Sequence, residues 1–281
     1  MATELVTKFT PYVDEVFKAE SKRGLLTNAD YSWTGAHTIK IYKVNTTTMS
    51  DYDRTGTGTN ASRYGKVASL EATTEEMTLT KDRSFTFAID KLDNDETGGV
   101  LAGATALARQ QREVIIPEID SYVYNVMATK AGTKPAAKEL TATNIYDEIT
   151  AGTEELDDNE VSETGRVLVV SPAIYRIMKK CPDIVLDTDV GQEMRLLGVV
   201  GTLDGMSVIK IPAKRLPTGF GFMIAHPVAT VAPVKLESYK VHNDPPGISG
   251  DLVEGRIVYD AFVLENKTKA IYYQAHTSST E

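Results

Sequence analysis

The chain has 281 residues, 42% of them hydrophobic, which is enough apolar material to form one large core or two smaller ones. Its formal net charge of −9 argues against sequence-independent binding of nucleic acid, which needs a dense face of lysine and arginine. Cys181 is the single cysteine, so an internal disulfide or a cysteine-rich metal site is excluded, and we interpret Cys181 as a core residue.

The amino-terminal residues 1–36 predict an extended arm with one short helix. Within residues 11–22, Val13, Val16 and Phe17 share a helical face, whereas residues 23–33 show no periodicity. Charges throughout residues 1–26 argue against a signal peptide, and no stretch approaches the roughly 20 apolar residues of a membrane helix. We expect such an arm to become ordered mainly against a neighbouring subunit.

Two β-rich segments follow, separated by a polar stretch. Residues 37–44, HTIKIYKV, alternate in polarity, with Ile39 and Ile41 on one face, as in a strand. Residues 45–66 are rich in Thr, Ser and Gly, and residues 67–90 again have strand character. Because nothing in the polar stretch could pack into a core, the pattern predicts two strands that project around a long tip.

The next segment changes to helical periodicity. Apolar residues recur at helical spacing from Val100 to Val126, with Thr97 as a candidate cap. Pro117 lacks a backbone donor and is expected to kink or split the helix. The pattern predicts a helix of about eight turns, much longer than the usual three, which would act as a spine for a sheet.

Residues 143–234 alternate between helix and strand and predict a compact α/β lobe. A helix opens at Thr143, a strand covers residues 166–170, and Ser171-Pro172 is typical of a capped helix start. The pair Asp204-Gly205 indicates a hairpin turn between two further strands. Residues 219–234 supply another strand.

The carboxyl-terminal segment returns to strand. Residues 252–264 are apolar at both odd and even positions, so we expect a strand covered on both faces. Residues 266–269 predict a turn, after which residues 270–274 are expected to pair back.

The sequence contains no recognisable catalytic motif, and we predict no catalytic, cofactor-binding or metal-binding residue. The four histidines lack metal-ligand spacing, and Gly56-Thr57-Gly58 lacks the Lys-Ser/Thr of a phosphate-binding loop. An acidic run could chelate Ca²⁺, but the same residues would favourably cap a helix start, and we favour capping. The run consists of Asp90, Asp93, Asp95 and Glu96.

The order of arm, long hairpin, spine helix, α/β lobe and returning strands resembles the major capsid proteins of tailed bacteriophages, which have the Hong Kong 97-type fold. Four stretches carry the resemblance: DYDR (51–54), LTKDRSFTFAIDKLDNDET (79–97), IIPEIDSY (115–122) and GDLVEGRIVYDAFVLENKTKAIY (250–272). The resemblance covers nearly the whole chain and depends on the order and number of these stretches.

The resemblance implies an α+β capsid fold and a division of the chain into named parts. These are an N-arm (1–36), an E-loop with its base (37–92), a P-domain spine helix (93–131), an A-domain (132–233) and P-domain return strands (234–281). It also implies a virion protein, assembled in the host cytoplasm, whose edges contact other copies. The expected contacts are Asp51, Tyr52, Asp53, Arg54, Arg63 and Lys66 at the E-loop tip, and Phe9, Tyr12 and Phe17 in the N-arm.

The partners implied are further copies, in hexamers and pentamers, around double-stranded DNA that is enclosed without sequence-specific binding. Because the arm begins within the first residues, either a separate scaffolding protein assists assembly or the sequence is already processed, and the initial Met favours the separate protein. A portal and a maturation protease are further candidate partners. Three other hypotheses remain open: an encapsulin-like compartment, a metal-dependent hydrolase using Asp90, Asp93 and Asp95, and a phage tail or adhesin component.

Overall fold

The computed structural model describes residues 21–28, 30, 31, 33, 38–44, 46–56, 62–66, 69, 72–96, 103–184 and 199–277. The chain forms two compact units, Trp33–Leu79 and a larger unit that combines Met1–Ser32 with Thr80–Glu281. Helices and mostly antiparallel sheets are mixed along the chain, in agreement with the predicted α+β class.

The smaller unit is a two-stranded antiparallel ribbon. Strand β1 (Thr38–Val44) pairs with β2 (Ala72–Thr78) over its whole length. Residues 46–56 and 62–66 between them contain no helix or strand, as predicted. Alternation in β1 is also confirmed, because Ile39 and Ile41 are partly buried whereas Lys40 and Tyr42 are exposed.

The larger unit contains the remaining elements. Its strands are β3 (Lys81–Asp90), β4 (Val167–Val170), β5 (Val199–Leu203), β6 (Met206–Lys210), β7 (Phe220–Ala225), β8 (Thr230–Val231), β9 (Val234–Asn243), β10 (Gly250–Tyr259), β11 (Phe262–Val263) and β12 (Ile271–Ala275). Its α-helices are α1 (Lys91–Glu96), α2 (Gly103–Gln110), α3 (Ile116–Lys130), α4 (Ile145–Asp158) and α5 (Pro172–Met178).

The predicted long helix is present from Gly103 to Lys130. Helices α2 and α3 are joined without a break by Gln111–Ile115, whose hydrogen bonds follow the wider π-helical pattern. Pro117 lies in the first turn of α3, so the predicted interruption is a change of hydrogen-bonding pattern in the residues just before it. Thr97, the predicted cap, lies outside the described residues, and helical residues already occur from Lys91.

The described strands of the larger unit form three sheets. One has the order β3-β10-β9, a second pairs β11 with β8, and a five-stranded sheet has the order β12-β7-β4-β6-β5. In the five-stranded sheet β4 and β6 are parallel, and the other pairs are antiparallel. β9 is not among the strands predicted from the sequence.

The alternation of helix and strand predicted for residues 143–234 is present, but the five-stranded sheet that it forms also includes β12 from the carboxyl-terminal segment. Ser171 caps α5 by accepting a hydrogen bond from the Ile174 backbone nitrogen at 3.3 Å, with Pro172 at the first helical position. Asp204 and Gly205 have positive φ angles of 48° and 76° and form the tight turn between β5 and β6.

The expected pairing of the terminal strands with each other is wrong. β10 pairs with β3 and β9, β11 pairs with β8, and β12 pairs with β7 in the five-stranded sheet. The turn predicted at 266–269 is present as the 3₁₀ helix Glu265–Ala270, but it redirects the chain to another sheet. Strand pairing depends on partners that are distant in sequence, so the local pattern could not indicate it.

The expectation of a strand covered on both faces is also wrong for β10. Val253, Ile257 and Tyr259 are buried on one face, whereas Glu254 and Arg256 on the other face are exposed. Burial on both faces begins only after β10, where Asp260, Ala261, Val263 and Leu264 are all buried.

Two apolar clusters lie on the two faces of the five-stranded sheet. One contains Val167 and Val169 of β4 together with α3 residues such as Val123 and Met127. The other contains Leu168 and Val170 of β4 together with residues of α4 and α5. Alternate residues of a strand point to opposite faces, so this sheet is buried between helices on both sides and forms a rigid centre for the larger unit.

Candidate assembly surfaces

The ribbon is held together by contacts between its two strands. Lys40 forms an ion pair with Glu76, and Lys43 Nζ lies 3.2 Å from Glu75 Oε2. Cross-strand pairs of this kind stabilise a sheet locally. A two-stranded hairpin is nevertheless marginally stable at best in water. A further surface that covers the ribbon would therefore increase its stability.

The ribbon and its tip expose large apolar side chains. Met49 is 99% exposed, Tyr64 81% and Tyr42 74%. The rings of Tyr52 and Tyr64 meet edge to face, with centroids 5.1 Å apart. In the described part of the chain, most of the exposed large apolar side chains belong to this unit, and clustered exposure of this kind is typical of interaction sites.

Asp53 organises the described part of the tip. Its Oδ1 accepts hydrogen bonds of 2.9 Å from the backbone nitrogens of Thr55 and Gly56 and from the Thr55 hydroxyl. The Asp53 backbone nitrogen donates to the carbonyl oxygen of Arg63 at 2.9 Å, which closes the tip. Asp53 therefore shapes the tip, and its carboxylate is already engaged within it.

The other predicted tip contacts are on the surface. Asp51, Arg54, Arg63 and Lys66 are exposed, and Tyr52 is half-exposed. Sequence reasoning missed Met49 and Tyr64 as contact candidates, although a methionine and a tyrosine inside a polar stretch were a usable indication. Phe9, Tyr12 and Phe17 of the predicted N-arm lie outside the described residues.

Residues 21–26, which lie within the predicted N-arm, are fixed to the rest of the larger unit by a buried carboxylate. Asp120 of α3 is 1% exposed and accepts hydrogen bonds from Ser21 Oγ at 2.7 Å and from Arg215 Nη1 at 3.0 Å. Burial raises the pKa of the Asp120 carboxyl, and Ser21, Arg23 and Arg215 act in the opposite direction. Leu26 is fully buried in the adjacent core, so residues 21–26 are part of the folded unit.

A second buried carboxylate, Asp260, lies in the link between β10 and β11. It is 3% exposed, and its two oxygens accept hydrogen bonds from Thr80, Tyr122 and the Ala261 backbone nitrogen at 2.7 to 2.8 Å. Thr80 is the first residue of the larger unit after the ribbon. These hydrogen bonds therefore hold Thr80 in place within the larger unit.

The acidic run behaves as a helix start. Asp90 Oδ1 accepts a hydrogen bond from the Leu92 backbone nitrogen at 2.8 Å, just where α1 begins. Among the described residues, no three His, Cys, Asp or Glu side chains are grouped as metal ligands would be. Cys181 is buried in the core beside α5, as predicted. None of the described helices is both long and apolar enough to span a membrane.

Comparison with known proteins decides the family. A family model described as "Phage capsid protein" matches residues 71–274, well over half of the chain. The chain belongs to the phage capsid protein family. No curated protein matches it in sequence.

Several solved phage structures have a fold similar to that of this chain. A structure of Mycobacterium phage Che8 has a TM-score of 0.60 and 19% identity and covers 89% of each chain. The mature capsid of bacteriophage PhiM1 has a TM-score of 0.62 and 16% identity over 87% of this chain and 83% of that one. The capsid of cyanophage P-SCSP1u has a TM-score of 0.62 and 15% identity over 91% and 87%.

The function of this chain, as a phage capsid protein, is structural. A capsid protein acts through its surfaces, and the resemblance predicted from the sequence is therefore confirmed at the level of the family and the general fold. Among the described residues of this capsid protein, Met49, Tyr64 and Tyr42 of the ribbon unit are the most exposed large apolar side chains.

Proposed function

We propose that this major capsid protein assembles through hexamers and pentamers into an icosahedral phage head that encloses double-stranded DNA. The observation that carries the proposal is the family match over residues 71–274. The ribbon supports it, because Met49 and Tyr64 gain free energy from burial only when another surface covers them.

The parts of the Hong Kong 97-type fold are proposed along the chain as follows: N-arm 1–36, E-loop and base 37–92, spine helix 93–131, A-domain 132–233 and return strands 234–281. The base of the E-loop includes β3, which pairs with β10. The return strands include β12, which pairs with β7. The proposed P-domain and A-domain are thus tied together by a shared sheet, which suits a rigid shell subunit.

The E-loop tip is proposed to lie on a neighbouring subunit. Asp51, Arg54, Arg63 and Lys66 supply charges for intersubunit pairs, and Tyr52 supplies apolar area. Exposed ion pairs contribute only about 0–1 kcal/mol each, but a subunit held by several neighbours at once gains from multivalency. Asp53 acts from inside the tip by fixing its shape.

The N-arm contacts Phe9, Tyr12 and Phe17 are proposed to bind a second neighbour. A separate scaffolding protein, a portal and a maturation protease are proposed as further partners. The net charge of −9 suits a container that encloses DNA without sequence-specific binding.

Deletion of residues 46–65 tests the E-loop assignment. We expect the shortened chain to keep the larger unit folded, as measured by circular dichroism, and to form no normal particles in electron micrographs. Stable shells of wild-type size from the shortened chain would refute the assignment. Analysis of the contents of particles from an infected host separates a phage head, which holds DNA, from an encapsulin-like compartment, which holds an enzyme.

A further inference from the structure

Two lysines lie over one aromatic ring at the carboxyl end of β4 and β6, and a third lysine contacts the backbone of one of them. Lys179 Nζ and Lys210 Nζ lie 5.2 and 5.4 Å from the centroid of the Tyr175 ring. Lys22 Nζ donates a hydrogen bond to the carbonyl oxygen of Lys210 at 2.9 Å, which places a third ammonium group beside them. We call Lys22, Lys179 and Lys210 with Tyr175 the basic pole.

This grouping of like charges is unfavourable in the isolated chain. Burial lowers the pKa of Lys22, and the charges of Lys210 and Arg215 lower it further. In the described part of the chain neither Lys179 nor Lys210 forms an ion pair, and the Tyr175 ring offsets the repulsion only in part. An external anionic surface would relieve the repulsion.

Carboxylates accumulate at the end of α4. The exposed residues Glu154 and Asp158 lie in its last two turns, and the exposed residues Glu160 and Glu163 follow in the loop. Together they form the acidic pole. The carboxyl end of a helix carries a partial negative charge, so acidic side chains there are unfavourable, and the last turn of α4 contains no basic residue. None of the four forms an ion pair with another described residue.

The two poles lie at opposite ends of β4. Arg166 Nη2 lies 2.6 Å from Asp157 Oδ1, which links the end of α4 to the residue that directly precedes β4. Val170, the last residue of β4, is paired with Lys210 of the basic pole. Four residues of strand separate the poles by about 13 Å, and the rigid sheet keeps them apart, so they cannot neutralise each other within one copy.

We propose that the basic pole of one copy docks onto the acidic pole of the next copy in the shell. Complementary patches at opposite ends of one subunit give a head-to-tail contact, and such contacts close into rings when the rotation between copies allows it. The inference rests on the proposed function and adds to it a pair of surfaces that the ribbon and arm do not use.

A second copy suits the basic pole better than DNA does. The acidic pole offers exposed carboxylates on every subunit, and the chain as a whole is acidic, which disfavours contact with a polyanion. Charged patches that complement one another also set the register between partners.

A charge swap tests the docking directly. One variant combines Lys179→Glu with Lys210→Glu, a second combines Glu154→Lys with Asp158→Lys, and a third carries all four changes. Lys240→Glu, an exposed lysine of β9, is the matched control. Shell yield is measured by sedimentation and electron microscopy, and thermal unfolding is used to verify that each chain folds.

We expect the two charge-reversed variants to lose at least about tenfold in shell yield, because like charges across an interface are strongly unfavourable. The fourfold variant should recover most of the loss, and the control should assemble like the wild type. Normal assembly of both reversed variants, or failure of the fourfold variant to recover, would overturn the docking.

The same chains separate this inference from its alternatives. Normal shells that lose DNA only in the Lys179→Glu, Lys210→Glu variant would identify the basic pole as a DNA contact and overturn the docking. If the wild type forms small oligomers and no shell, the proposed function fails. Sedimentation of the three charge variants and the Lys240→Glu control then still shows whether contact between the two poles holds the oligomers together. A strictly monomeric wild-type chain overturns both.

Discussion

Thr80 donates two hydrogen bonds to the same oxygen of Asp260, from its backbone nitrogen at 2.7 Å and from its hydroxyl at 2.8 Å. The other oxygen of Asp260 accepts from the Tyr122 hydroxyl and the Ala261 backbone nitrogen, each at 2.8 Å. A buried carboxylate is tolerated when its oxygens are satisfied in this way. Asp260 therefore holds Thr80, the residue that follows the ribbon unit in the chain, in place within the larger unit.

The first prediction concerns the loss of this carboxylate. Asp260→Asn keeps the side-chain shape but replaces one acceptor oxygen by an amide nitrogen. That nitrogen is itself a donor and would face the donors that now bond to the carboxylate. We expect the free energy of unfolding to fall by about 3 kcal/mol, as when one member of a buried charged network is removed. Denaturant titration measures the change. Asp183→Asn, at an exposed aspartate, is the control and should change stability by less than about 0.5 kcal/mol; equal effects of the two would contradict the anchoring role.

The second prediction is a dependence on alkaline pH at the same network. Burial, together with the hydrogen bond to Asp260, raises the pKa of Tyr122 to about 12 from its ordinary value of 10.0. The folded state therefore keeps the Tyr122 proton more tightly than the unfolded state. The stability that this proton contributes is complete below pH 10 and is lost as the pH rises toward 12.

Tyr122→Phe should accordingly reduce the loss of stability between pH 10 and 12, as measured by denaturant titration at each pH. Tyr146→Phe is the control, since its hydroxyl makes no hydrogen bond with the described residues. The prediction fails if Tyr122→Phe leaves the slope of stability against pH in this window unchanged.

The third prediction concerns residues 21–26 of the predicted N-arm. Asp120→Asn removes the negative charge that accepts the hydrogen bond from Arg215. It also weakens the hydrogen bond that Ser21 donates to the same side chain. A hydrogen bond to a charged group contributes about 1.5–3 kcal/mol, so local opening should become about tenfold more frequent. Trypsin should then cleave after Lys22 and Arg23 about tenfold faster, as followed by mass spectrometry. Asp147→Asn on exposed α4 surface should cleave like the wild type, and equal rates in all three chains would argue against the anchor.

Local structure could be predicted from the sequence wherever one or two residues determine it. The Asp204-Gly205 turn follows from the need for positive φ angles at both positions. The start of α5 follows from Ser171, whose side chain replaces a backbone acceptor, and from Pro172, which needs no donor there.

The pairing of strands and the burial of charged side chains could not be predicted from the sequence, because both depend on residues far away in the chain. β12 pairs with β7, and β3 pairs with β10 across more than half of the sequence. The stretch around β10 looked apolar on both faces, yet one face of β10 carries exposed charges. Asp120 and Asp260 resemble surface aspartates in sequence, and only the tertiary structure surrounds them with donors.

The fourth prediction concerns the close contact of three strands at Gly255. A Cβ atom there would lie 2.2 Å from Phe85 Cε1 and 2.8 Å from Tyr239 Cδ1. Gly255→Ala should therefore cost about 1–3 kcal/mol of stability through overpacking. Gly24→Ala is the control, because a Cβ at Gly24 meets nothing within 4 Å. A Gly255→Ala chain as stable as the wild type in denaturant would contradict this packing.

The fifth prediction tests the apolar tip of the ribbon. Met49→Ser combined with Tyr64→Ser removes apolar area that is exposed in the single chain, so the stability of the chain should change by less than about 0.5 kcal/mol. Shell yield should fall at least about tenfold if a neighbour buries these side chains. Leu92→Ser, at an exposed leucine outside the ribbon, is the control. Unchanged shell yield in the double variant would remove the tip from the assembly surfaces.

Electron microscopy of the purified chain, over a range of protein and salt concentrations, tests the capsid account most directly. We predict closed shells in which the ribbon of each subunit lies on a neighbour. A chain that stays monomeric in every condition, with its ribbon folded against its own larger unit, would contradict the account.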